Sequence, residues 1–133
     1  MSEQPVFNYD HYKPGESYGT KAFDTTPALV EKWRTVYPAD SGSDVIPAGM
    51  LAMIVVDAVL TCNAPRPPGG VHAGQSFEVH RLPRIGERLN TEVVCIDKEI
   101  KNNRKWVKVR TTTTSVDQGD VVLVGVMTTL LAD

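Results

Sequence analysis

Histidine and cysteine are scarce in this chain, with three histidines and two cysteines in 133 residues. Cys62 and Cys95 stand at no metal or redox spacing, which excludes a disulfide scaffold and a zinc cluster. Both are read as reduced thiols. Neither sign of charge dominates: Lys plus Arg is 14 and Asp plus Glu is 16, a net charge of −2. A chain so balanced has no global basic field for a phosphodiester backbone, and no nucleic-acid partner is expected. Long apolar runs are missing too. The longest, Ala48 to Leu60, is broken by Asp57 and is too short to span a bilayer, so no membrane association is expected. The first dozen residues lack the basic start and apolar run of a signal peptide. These absences describe a cytoplasmic protein without metal. No nucleotide loop stands in the sequence, so no bound cofactor is expected.

What is present is ordinary for one soluble domain: 41% hydrophobic and 23% charged residues, enough to build a core without staples. Residues 1–16 read as an N-terminal arm whose Phe7, Tyr9 and Tyr12 give it something to dock with, and residues 17–133 as the folded domain. Ser17 to Asp24 has near-strand spacing. Thr26 and Pro27 open a helix with Leu29, Val30, Trp33 and Tyr37 on one side, which Pro38 stops. Ala39 to Asp44 is loop chemistry. Pro47-Ala48-Gly49 opens a second helix, Met50 to Leu60, apolar around nearly its whole circumference. Such a helix must be enclosed on all sides, and in a chain this small only a curling sheet can do that.

The remainder reads as four strands in an antiparallel meander: Val71–His80, Arg88–Asp97, Lys105–Val116 and Val121–Leu131. The turns between them hold Leu82 to Gly86, Lys101 to Arg104 with its two asparagines, and Asp117 to Asp120. The last strand is apolar on both faces, which predicts a central strand covered on both sides. The fold class expected is α+β: a single domain with a curved antiparallel sheet wrapped around a long apolar central helix, the hot-dog architecture.

The stretch Val71-His72-Ala73-Gly74-Gln75-Ser76-Phe77-Glu78-Val79-His80-Arg81-Leu82-Pro83-Arg84-Ile85-Gly86-Glu87-Arg88-Leu89 resembles the strand-turn-strand of MaoC-like dehydratases. It is most similar to the N-terminal half of double hot-dog dehydratases related to fungal fatty acid synthase. Ile46-Pro47-Ala48-Gly49-Met50-Leu51 resembles the start of their central helix. The resemblance covers about Ser17 to Leu131. It implies a hot-dog homodimer, or a heterodimer with another hot-dog chain, that binds an acyl thioester, usually of coenzyme A, as substrate. The implied reaction is reversible addition of water to a 2-enoyl thioester, giving a 3-hydroxyacyl thioester. A non-catalytic acyl-binding subunit and an acyl-CoA thioesterase are the alternatives.

That chemistry needs a base and a donor to the enolate oxygen. The family's Gly-Asp-x-Asn-Pro-x-His segment is not matched here. Asp40 and Asp44 fall near its aspartate, in a loop where turn or cap roles are equally open, and no histidine lies between His11 and His72. His72 is a candidate base or an interface hydrogen-bonder. Asp57 is a catalytic acid or a structural helix carboxylate. The amides around Gly49 and Met50 are the expected oxyanion donors, with Gly49 allowing a thioester carbonyl to approach. Tyr37 is a donor or a packing residue. Arg81 and Arg84 are candidate phosphate partners. Lys98, Lys101, Arg104, Lys105, Lys108 and Arg110 surround Trp106. They are read first as a solvated edge guarded by lysines, and second as phosphate contacts.

Overall fold

The computed structural model describes residues 7–40 and 43–132, with the Asp40 side chain outside that set. Strand β1 (Ser17–Asp24) leads into helix α1 (Pro27–Val36), where the Thr26 hydroxyl accepts a hydrogen bond from the Leu29 N–H and Pro27 fills the first turn. A 3-10 turn, Pro38–Asp40, precedes helix α2 (Met50–Cys62). Strands β2 (Val71–Val79), β3 (Arg88–Lys101), β4 (Arg104–Ser115) and β5 (Val121–Leu131) follow. They form one antiparallel sheet in the order β1-β3-β4-β5-β2.

Three expectations are corrected here. Only β3, β4 and β5 form a meander. Strand β2 crosses to the far edge and pairs with β5, so the segment from His80 to Glu87 bridges the sheet instead of turning a hairpin. Strand β5 is not covered on both sides. Its inward positions Leu123, Gly125, Met127 and Leu131 are buried, while the outward Val124, Val126 and Thr128 are only half-buried. The basic strand β4, expected at an edge, is the middle of the five. Its turn is as foreseen, with Asn102 and Asn103 at φ 54° and 61°, a left-handed geometry that asparagine tolerates.

Helix α2 lies along β1, β3 and β4. It buries Met50, Leu51, Ile54, Val55, Ala58 and Val59 against Leu89, Val93, Val107 and Leu123. Each large side chain so enclosed contributes about 1.5–3 kcal/mol. The helix is not enclosed on all sides: Ala52 and Leu60 face outward, and Leu60 is 52% exposed. Beyond α2, the edge strand β2 carries Val71, Phe77 and Val79 in the open. The segment before β1 docks through its aromatics. Tyr12 is buried, and Phe7 meets Tyr12 and Tyr18 edge to face.

The bridging segment is pinned by Glu87. Its carboxylate accepts hydrogen bonds from both terminal nitrogens of Arg81, from the Arg84 N–H at 2.8 Å and from the Ser115 hydroxyl at 2.7 Å. Arg81 also grips Asp120 through Nε and Nη2. These contacts, the Arg81 guanidinium first, hold Glu87 at about 2, far below the usual carboxylate value.

Candidate functional site

An apolar chamber of about 310 Å³ opens where α2 leaves β2 and β5 uncovered. Val56, Val59 and Leu60 of the helix face Met127 and Leu131 of β5, and Arg66, His72 and Thr129 supply the polar side chains of its wall. Sequence reasoning missed Arg66. It sits in the Pro- and Gly-rich loop after α2, whose composition announced a turn and nothing more.

His72, the second residue of β2, lies on the sheet face that carries Thr129 and Met127, near Gln75. The Gln75 amide donates from Nε2 to the Ser76 carbonyl at 2.9 Å. Its Oε1 therefore accepts from His72 Nε2 at 3.2 Å. This places the imidazole proton on Nε2 and leaves Nδ1 as the basic nitrogen, a tautomer assigned from the hydrogen-bond pattern. Gln75 lies over Gly125, where an added Cβ would stand 2.8 Å from Thr111 Oγ1 and 3.1 Å from Gln75 Nε2. Gly125→Ala should therefore lower stability by roughly 1–3 kcal/mol through overpacking. It should also displace Gln75, read as a moved His72 resonance in a histidine-detected NMR spectrum. An unmoved signal and unchanged urea midpoint would refute this packing.

The other sequence candidates do not gather around His72. Asp57 points to the β1 side of α2, where its carboxylate meets Lys21 Nζ at 3.9 Å, both groups over a third exposed. Such a surface pair contributes little. Asp44 is exposed, and its carbonyl accepts the Ile85 N–H. The neighbouring Val45 bridges to Arg84, so Asp44 and Arg84 share the N-terminal end of α2. The helix is 13 residues long, about 20 Å, and His72 lies toward its other end. Arg81 is held between Glu87 and Asp120, so its donors point at carboxylates and not at a ligand. Asp40 closes the 3-10 turn.

Gly49 departs from its expected role. The space beside its α-carbon is filled by the Trp33 ring, whose Cζ2 would lie 2.7 Å from an added Cβ. Trp33 in turn packs at a tilt against the half-exposed Tyr37, ring centroids 4.7 Å apart and planes 37° to each other. The Met50 N–H is already given to the Pro47 carbonyl at 3.0 Å. Gly49 thus seats α1 on α2, and Met50 is a buried core residue with its amide taken.

Elsewhere the titratable interior is silent. Burial pushes the Tyr18 hydroxyl up to about 12 and raises Tyr12 as well. Burial likewise raises both cysteines, which are free thiols. Groups held protonated in this way are poor bases and poor nucleophiles. Among the described residues no cluster of His, Cys, Asp or Glu is arranged to hold a metal. No helix among them is long and apolar enough to cross a membrane.

A curved antiparallel sheet around one apolar helix, with a chamber at the seam between them, is the hot-dog fold. No family model matches the chain, and no curated protein matches it. Solved structures do. R-hydratase PhaJ1 from Pseudomonas aeruginosa, unliganded, superposes with a TM-score of 0.74 at 18% identity, over 95% of this chain and 86% of that one. A MaoC-like dehydratase from Rhodospirillum rubrum gives 0.74 at 14%, over 92% and 94%. The HadBC (3R)-hydroxyacyl-ACP dehydratase complex from Mycobacterium tuberculosis gives 0.71 at 17%, over 88% and 96%. At these identities the likeness establishes the fold, one that hydratases and dehydratases share.

Proposed function

We propose that this chain is a cytoplasmic hydratase or dehydratase of 2-enoyl and 3-hydroxyacyl thioesters, built as a hot-dog dimer with coenzyme A thioesters as its substrates. The observation that carries this reading is the 310 Å³ chamber, apolar enough for an acyl chain and walled by an imidazole with a free basic nitrogen. The exposed β2 edge supplies the rest. If two copies pair antiparallel about Gln75 and Ser76, the partner's His72 comes opposite Val79. It then approaches the end of α2 that holds Asp44, Arg84 and Gly49. In that arrangement an imidazole and a carboxylate share the proton transfers: water adds its oxygen to Cβ and the α-carbon gains a proton.

The separation of Asp44 and His72 within one chain favours a second reading, that of an acyl-binding subunit whose catalytic residues come from a different hot-dog chain. A panel of 2-enoyl-CoA thioesters separates the two. Loss of the conjugated enoyl absorbance with the pure protein is expected. Silence at every chain length, beside an active control hydratase, would refute the enzymatic reading. Release of free thiol from saturated acyl-CoA would instead mark a thioesterase.

A further inference from the structure

The chamber does not end at the rim of the sheet. It shares Gly69, Val71, Leu131 and Ala132 with a second hollow of about 290 Å³ at the strand ends, where Asn103, Arg104 and Lys105 replace the apolar wall. That hollow shares Arg104 and Leu130 with a third, of about 690 Å³, on the outer face of the sheet. There Lys101, Lys108 and Glu99 surround Trp106, over the small residues Ala73 and Gly74. One path therefore runs from hydrocarbon, through a cationic lip, to a groove with a half-buried indole.

The cations along this path have no structural task. Strand β4 is central, so they guard no edge. Lys98 donates to the Tyr9 carbonyl and sits over its ring, but Lys101, Arg104, Lys105 and Lys108 form no ion pair among the described residues. Residues 97 to 110 hold six cations and two acids in a chain whose net charge is −2. A concentrated, unpaired positive field beside an aromatic ring suits a phosphorylated nucleoside: phosphates on the cations, the base against the indole.

We infer that the β3–β4 hairpin is the binding site for the phosphorylated adenosine head of coenzyme A. Arg104 and Lys105 take the phosphates, Trp106 takes the base, and the pantetheine arm passes over Gly69 and Val71 into the chamber. This inference rests on the thioester reading for its ligand, and its test is independent of turnover. The chain has two tryptophans, so a nitrogen-15 NMR spectrum carries one indole signal for Trp106 and one for Trp33. Adenosine 3′,5′-bisphosphate should move the first and leave the second.

By calorimetry, the double variant Arg104→Gln, Lys105→Gln should bind coenzyme A roughly tenfold more weakly, the loss of a charged hydrogen bond. Pantetheine binding should be unchanged, and wild-type affinity for coenzyme A should fall as salt is raised. Should the double variant fail to fold, the exposed Lys101→Gln serves in its place. Unchanged coenzyme A affinity, or a shift confined to Trp33, would overturn the inference. So would a variant that weakens an acyl carrier protein and spares coenzyme A. Nucleotide binding without turnover of any enoyl thioester leaves the inference standing and removes the enzymatic reading. Turnover with coenzyme A affinity unimpaired in the variant does the reverse.

Discussion

Replacing Glu87 with alanine is expected to lower the unfolding free energy by roughly 3–5 kcal/mol, the usual consequence of removing one partner from a buried ion pair. The side chain is only 4% exposed, and its loss strands the Ser115 hydroxyl, the Arg84 N–H and one side of the Arg81 fork. The pH dependence follows from the same contacts. Folding lowers the Glu87 pKa from 4.5 to about 2. The group therefore contributes about 3 kcal/mol that is fully present above its unfolded value. That contribution is lost as pH falls from about 4.5 toward about 2. Asp120, lowered by Arg81 as well, pushes in the same direction. Urea midpoints at pH 7 and pH 3 should fall steeply for the wild type and more gently for Glu87→Gln. Parallel decline in the two proteins would show that this carboxylate does not govern acid stability.

In the proposed dimer, Phe77→Asp should separate the two copies into monomers. The phenyl ring is 42% exposed on a strand whose outer edge has no partner among the described residues, and a carboxylate there would be buried unpaired in the proposed interface. Sedimentation should report half the wild-type mass. Thioester turnover should vanish along with the partner's His72, while the protomer keeps its circular dichroism and most of its stability. A wild-type chain that sediments as a monomer, or a variant that keeps both its partner and its turnover, would refute the shared-site geometry.

The elements were legible because each carries its own local signal. Thr26 and Pro27 mark the start of α1. The apolar run marks α2, and the alternation Leu89, Thr91, Val93, Cys95 marks the inward face of β3. Connectivity was less legible, since alternation reports which face a residue occupies and not which strand lies beside it. Nothing local to Phe77 or Val79 announces that β2 pairs with β5 across the sheet. The site was less legible still. Gly49 suggested an approach for a ligand until Trp33, 16 positions earlier in sequence, was found filling it. Arg81 suggested a phosphate contact until Asp120, 39 residues later, was found holding it. Long-range partners decided both.

The central placement of β4 also bears on how copies of the chain can assemble. Lys108 and Arg110 stand on the convex side of the sheet, away from the helix. Two copies stacked convex side to convex side would face like charges across the seam. Such back-to-back assembly is disfavoured in dilute buffer and tolerated as counterions accumulate, so any tetramer would grow by that route only at high ionic strength.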